Sequence, residues 1–408
     1  MGTTVEPKCG DCKCGKCPAL GHTYSFKEEQ ELDLIRQGMH YDGSKESWTV
    51  EYPWIMNPEN LPNNYLASKA RLVKLESSLL KDKAWADAYC KQMQDMIDRK
   101  VARKLNDEEL NEWLGPSFYI SHLAVISPKS ASTPVRIVFN SSQIHKGMSL
   151  NDCLAKGPDT YENTVLGLLL RWRKDHIAMV GDIKKMFHSI HLSEKDAQCH
   201  RFLWRDLQIL KEPPDTYVIQ RVNMGDRPAT AIAIEVLKAT ADLNKEAYPE
   251  ASEMIKHCSY IDDLIYSVPT ISHASQLAGE VNKVLSKGGF EIKCWQFSSI
   301  DSATDPSGQS SSVSLLKGTS REETAVLGVD WQPVKDLLVF HTALNFSPKR
   351  KGVHVEPNLT KDDVPASLPQ TLTRRIVLQQ VMSIFDPLGL ICPFLLNAKM
   401  LFREHRLG

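Results

Sequence analysis

The chain is short of several things, and each shortage excludes something. No apolar run is long enough to cross a membrane; the best stretch, residues 388–402, is interrupted by Pro393, Asn397 and Lys399. There is almost no net charge: 49 Lys and Arg face 50 Asp and Glu, a formal balance of −1. No global basic field therefore draws the molecule to nucleic acid, and any phosphate contacts must come from local basic stretches. The N-terminus is polar and Cys-rich where a secretory signal would be apolar. Neither Asp-Thr-Gly nor Asp-Ser-Gly occurs, so proteolysis by an aspartic mechanism is not expected. Of ten Cys, four crowd the first 17 residues and six are scattered singly, which reads as reduced core thiols inside a cell. The expected location is intracellular, in the cytoplasm, with no membrane partner. What remains is ordinary globular composition, 42% hydrophobic and 24% charged, in 408 residues that suggest two or three domains.

Two acidic sites stand out. Ser259-Tyr260-Ile261-Asp262-Asp263-Leu264-Ile265-Tyr266-Ser267-Val268 sets adjacent carboxylates between two short β-prone runs. It reads as strand, tight acidic turn, strand, with Asp262 and Asp263 projecting together as a site for hard divalent cations. The plainer alternative is an acidic pair chosen for turn chemistry alone. Earlier in the chain, Ile177-Ala178-Met179-Val180-Gly181-Asp182-Ile183 is an apolar run carrying a single acid. Such an acid needs a partner, or else it caps a following helix. If this strand lies beside the hairpin in one sheet, three carboxylates converge. They could then hold two divalent cations about 3.5–4 Å apart, as in-line nucleotidyl transfer requires.

The remaining pattern alternates helix and strand. A helix is expected over 26–37, capped by Ser25, then an extended stretch over 47–62 and one long helical pattern over 65–104. Residues 116–155 look β-rich, with a basic-tipped hairpin. A helix over 162–173 leads to the Asp182 strand. Paired strands over 200–205 and 217–222 precede a turn and a helix over 230–243. A helix over 272–285 follows the acidic hairpin. Residues 298–323 are Ser-rich and read as a loop, 326–339 as strand, 346–375 as a Pro-bearing basic connection, and 374–401 as helix broken at Pro387-Leu388-Gly389. Cys9, Cys12, Cys14 and Cys17 are spaced C-x2-C-x-C-x2-C. They could hold one zinc ion, or belong to a reduced leader with no metal.

Tyr260-Ile261-Asp262-Asp263 resembles the Tyr-x-Asp-Asp motif of reverse transcriptases, and Asp182 with Phe187 resembles their first palm motif. An ordered set of strings narrows the resemblance. It comprises Arg136-Ile137-Val138-Phe139-Asn140-Ser141-Ser142, Leu150-Asn151-Asp152, Lys156-Gly157-Pro158, His200-Arg201-Phe202-Leu203-Trp204-Arg205, Asn223-Met224-Gly225-Asp226, Leu327-Gly328-Val329 and Phe385-Asp386-Pro387-Leu388-Gly389-Leu390. From about Cys9 onward the chain resembles the reverse transcriptase region of Pao/BEL-type LTR retrotransposon polyproteins. The tail resembles a Pao segment sometimes assigned to a peptidase family.

The resemblance implies an α+β right-hand polymerase with fingers, palm and a partial thumb, behind a helical N-terminal region. The implied divisions are a Cys-rich leader (1–23), the helical region (24–115), fingers and palm (116–345), and the truncated start of a thumb or connection region (346–408). The implied activity is RNA-directed DNA synthesis, with dNTPs added to a primer on an RNA or DNA template. Asp182, Asp262 and Asp263 would hold two Mg²⁺ or Mn²⁺ ions. Lys129 and Arg136 would clamp the triphosphate, since Arg offers phosphate a fork and Lys a point charge. Phe187 would screen the sugar against a 2′-hydroxyl, and Tyr260 would support the primer end. Gly225 and Pro228 would lie beneath the templating base pair, and Leu327-Gly328 would form the primer grip. Lys293 would be a general acid for pyrophosphate or a plain structural Lys. Cys14-x2-Cys17-x4-His22 begins like a zinc knuckle, but Lys27 stands where the fourth ligand belongs. A virus-like particle is a further implied location. Two departures stand out: Asn140 replaces the Asp of many relatives, and Asn223-Met224-Gly225-Asp226-Arg227-Pro228 replaces the commoner Phe-Gly…Ser-Pro form. Two rivals remain: a domesticated or inactive fragment that only binds nucleic acid or has a structural role, and an RNA-synthesising enzyme, which Phe187 disfavours.

Overall fold

The computed structural model describes residues 24–126, 134–158, 163–298, 324–339 and 373–404. The architecture is α+β, and no helix among the described residues is long and apolar enough to cross a membrane. Two compact units emerge, and neither is continuous in sequence. The first draws on Met1–Glu162, Ile183–Lys256 and Glu280–Glu291; the second draws on Asn163–Asp182, His257–Gly279 and Ile292–Gly408. Residues 24–115 fall within the first unit, and residues 116–345 are divided between the two.

The first unit begins with a helix, Phe26–Gln37, that the sequence specifies locally. Ser25 accepts from the Glu28 amide while the Glu28 side chain returns to the Ser25 amide, a closed capping box. The long helical pattern over 65–104 is in fact two helices and a strand: Tyr65–Leu79, Lys83–Asp98 and Ala102–Lys104. The break has a local cause. The Asp82 carboxylate accepts from the Ala84 and Trp85 amides and starts a new helix. The extended stretch contains the strand Ser47–Val50, which pairs antiparallel with Met39–Asp42 and parallel with His191–Leu192.

Ser121–Ile126 and Val135–Asn140 form the expected antiparallel hairpin. Arg201–Trp204 pairs with Asp215–Ile219, and Ala102–Lys104 completes that sheet. Between these layers lies an aromatic core. Phe139 and Phe202 meet edge to face at 5.1 Å, with the buried His122 5.6 Å from each. Burial lowers the His122 pKa to about 4.

The second unit is built on a four-stranded sheet in the order Ser259–Tyr260, Asp263–Val268, Ile177–Ile183, Ile292–Phe297. Helix Val165–Trp172, capped by Thr164, leads into it. That helix is shorter than the 162–173 pattern, and Glu162 lies outside the described residues. A three-stranded antiparallel sheet, Thr324–Val326, Val329–Gln332 and Leu337–Val339, belongs to the same unit. Its Trp331 is fully buried against Trp172 at 5.0 Å, edge to face. Arg173 donates to Asp336 at 2.8 Å, and Trp331 donates to the same carboxylate at 3.0 Å. The 374–401 pattern resolves into helices Arg374–Met382 and Cys392–Glu404, separated at Pro387-Leu388-Gly389. Residues 299–323, most of the 346–375 connection and Cys9, Cys12, Cys14 and Cys17 lie outside the described residues.

Candidate active site

The acidic hairpin is tighter than the sequence suggests. Ser259 pairs with Leu264 and Tyr260 with Asp263, so only Ile261 and Asp262 turn the chain. Ile261 sits at φ 54°, a left-handed conformation in which a β-branched side chain is strained. Asp262 is exposed at this turn, and Asp263 is half-buried as the first residue of the outgoing strand.

That strand pairs antiparallel with Ile177–Ile183, and the register sets Asp263 directly opposite Asp182. Directly opposed residues on one face stand roughly 4.5–5.5 Å apart at Cβ, and like charges placed so destabilise a sheet. The electrostatics agree. Loss of water around the Asp263 carboxyl, then the charges of Asp262 and Asp182, raise its pKa to about 7. The Asp262 pKa is also raised, first by partial desolvation at the turn and then by Asp182. The three acids feel one another, and the arrangement calls for a cation.

One cation is already near: Lys293 Nζ stands 3.5 Å from Asp182 Oδ2. Hard carboxylate oxygens suit a divalent ion by chemistry. Even so, among the described residues no three acidic, His or Cys side chains are gathered closely enough to close a coordination sphere. The set faces across strands, with Lys293 beside it.

Gly181 is required by packing. A Cβ there would stand 2.7 Å from the Trp295 ring, so Trp295 can lie flat on the strand only because its neighbour is Gly. The Leu327-Gly328 turn joins Thr324–Val326 to Val329–Gln332, with φ of 49° and 85° at its two central residues, the two-residue hairpin geometry. This turn meets the ring of Phe385, so two strings that are distant in sequence pack together within this unit.

The other sequence-selected residues belong to the first unit. Arg136 is exposed on the Val135–Asn140 strand, and Lys129 lies outside the described residues. Phe187 is half-buried in the short 3-10 turn Met186–Ser189, which Lys185 enters at φ 49°. Around it is a basic cluster that the sequence reading missed. Lys185 and Arg99 share the Asp95 carboxylate at 2.8 and 3.0 Å. Burial, then the charges of Arg99, Lys185 and Arg221, lower the His188 pKa to about 4. His188 Nδ1 and Arg221 Nε are buried without hydrogen-bond partners. Gly225 and Pro228 lie on the turn before helix Ala229–Asn244.

The comparisons agree with this anatomy. Residues 125–316 match the family described as Reverse transcriptase (RNA-dependent DNA polymerase). Residues 373–406 match the family described as Pao retrotransposon-like RNaseH-like domain. The two matches, in that order, support reading the chain as similar to the reverse transcriptase region of a Pao/BEL-type retrotransposon. No curated protein matches the chain in sequence. Among solved structures, a foamy viral protease-reverse transcriptase dRH in complex with double-stranded DNA is 15% identical, at a TM-score of 0.41, over 70% of this chain and 37% of that one. A foamy viral protease-reverse transcriptase in complex with RNA/DNA hybrid is 15% identical, at 0.42, over 74% of this chain and 31% of that one. The chain thus spans little more than a third of those proteins at most.

Proposed function

We propose that this chain is an RNA-directed DNA polymerase, adding deoxynucleotides to a primer 3′ end on an RNA or DNA template. The observation that supports it best is the directly opposed Asp182–Asp263 pair, with Asp262 on the adjoining turn, inside the segment that matches the reverse transcriptase family. In this reading Asp182, Asp262 and Asp263 hold two divalent cations, Mg²⁺ or Mn²⁺. When bound, such ions neutralise the opposed carboxylates and the triphosphate and favour the ionised 3′-hydroxyl.

The chain's own side chains do the rest by position and charge. Lys293, beside Asp182, is the candidate to protonate pyrophosphate as it leaves. Tyr260, paired with Asp263, supports the primer end, and the Leu327-Gly328 turn grips the primer strand. Phe187 rejects a 2′-hydroxyl. Arg136 and Lys129 take the triphosphate, and Gly225 and Pro228 shape the floor under the templating pair. Arg99, Lys185 and Arg221 add local positive charge that the neutral chain lacks overall.

Purified protein with a primed homopolymer template and Mg²⁺ or Mn²⁺ tests this directly. Incorporation of dNTPs is the expected result. Incorporation of rNTPs would make the chain an RNA-synthesising enzyme, and no incorporation of either would leave a binding or structural remnant.

A further inference from the structure

Helix Tyr65–Leu79 of the first unit has an inner and an outer face. The inner face carries Ser68, Leu72, Glu76 and Leu79, all buried. It packs against the strands Ser121–Ile126 and Arg201–Trp204. Ser68 Oγ donates to the Tyr119 carbonyl at 3.1 Å, and Arg205 donates twice to the Glu76 carboxylate, at 2.8 Å each. The helix is therefore pinned from within, and its outer face is presented without rearrangement.

That outer face is a seam. Leu66, Ala70, Val73, Ser77 and Leu80 follow one another at alternating four- and three-residue spacing, and all five are exposed. Leu66 is 78% exposed, Val73 46% and Leu80 53%. Leu80 is the C-cap and keeps helical backbone angles, so the seam runs to the end of the helix. This spacing is the one with which a helix receives another helix, and the small Ala70 and Ser77 let a second backbone come close. A strip so narrow, with small residues in it, suits a helix; a bilayer selects a broader and bulkier apolar face. Lysines border the seam: Lys69 on one side, Lys74 on the other and Lys81 at its end. None of the three makes an ion pair among the described residues. Glu76, the one carboxylate of the helix, is committed to Arg205. A second copy of the helix would therefore set lysine against lysine.

We propose that this seam docks an acidic amphipathic helix of another protein, one with apolar residues at the same spacing and Asp or Glu beside them. No residue of the seam is assigned to nucleotide transfer. Apolar burial gives the contact its affinity, and the lysines select the partner and its register. The seam is roughly 21 Å long, so the contact belongs to the small, transient class of interface.

The test is fluorescence anisotropy of two designed three-heptad peptides titrated with the full chain. Both carry Leu at every a and d position; one carries Glu at e and g, the other Lys. The Glu peptide should bind about tenfold tighter or more, and the gap should narrow as salt is raised. Val73→Asp puts a charge in the middle of the seam and should weaken the Glu peptide by about tenfold or more, with the unfolding temperature unchanged. The double variant Lys69→Glu/Lys74→Glu should reverse the order and take the Lys peptide. Equal binding of the two peptides, Glu-peptide binding untouched by Val73→Asp, or an order that does not reverse would overturn the proposal. So would a dimer in sedimentation that Val73→Asp dissociates, which would make the occupant a second copy. Flotation with phosphatidylserine-containing vesicles that Val73→Asp abolishes would also overturn it, in favour of a membrane surface.

Discussion

At the scale of single residues, the site rests on choices that stability alone would not make. Asp263 faces Asp182 across a ladder, Ile261 takes a left-handed backbone, and Gly181 gives up a side chain so that Trp295 can lie against the strand. Sheets tolerate such features where something else selects them. Gly181→Ala tests the packing argument. The added methyl must displace a flat ring, so we expect a loss of about 1–3 kcal/mol in chemical denaturation. Incorporation should fall with it, since Asp182 is the next residue. The acids were legible in the sequence because a carboxylate in an apolar strand and an Asp-Asp turn are each unusual. Asp226 was not, since an Asp in a Gly-bearing turn reads as ordinary turn chemistry, and only the fold reveals that Tyr52, Ser141 and His200 point at it. The basic cluster was hidden for the same reason: Asp95 and Arg99 are one helical turn apart, but Lys185 and Arg221 are far from them along the chain.

At the scale of elements, helix starts and hairpins were read well, and the expected neighbourhood of the Asp182 strand and the acidic hairpin holds, but the strands on either side of them were not foreseen. The capping box at Ser25 and Glu28 marked its helix, and the two β-prone runs around Asp262 marked their hairpin. The single long helix over 65–104 was a misreading, because apolar spacing continued through Asp82, whose side chain restarts the helix. Nothing local could place the Asp182 strand beside the hairpin or put Ile292–Phe297 on its far side, since those neighbours are non-consecutive. The buried His200–Asp226 pair joins a strand end to a turn and makes stability depend on pH. Burial alone would lower the His200 pKa, but the Asp226 charge and hydrogen bond leave it raised. Burial alone would raise Asp226, but His200 and the hydroxyl donors leave it lowered. The Asp226 contribution is therefore present above its unfolded pKa of 3.8 and is lost as pH falls through the lower folded value. The His200 contribution is complete below its unfolded pKa of 6.5 and is lost as pH rises through the higher folded value. Unfolding temperature against pH should thus show a plateau that declines on both sides, and His200→Gln should flatten the alkaline decline. An identical alkaline limb in the variant would remove His200 as its cause.

At the scale of the whole molecule, the chain is close to neutral, and its charge is organised locally. One unit carries three acids on a sheet, and the other carries a basic cluster beside Phe187. Both units are interleaved along the chain, which is why composition and length indicated two or three domains but could not draw their borders. The family resemblance was legible because the strings occur in a fixed order, and the matches over 125–316 and 373–406 preserve that order. The central claim is that the three carboxylates act as one cation-binding unit for nucleotide transfer. Primer extension by Asp263→Asn measures it most directly, with unfolding followed on the same preparation. Removing one of two opposed charges should leave the metal-free protein at least as stable as the parent at pH 8, while dNTP incorporation drops by about a hundredfold or more. A folded Asp263→Asn protein that extends primers within about twofold of the parent rate would contradict the account.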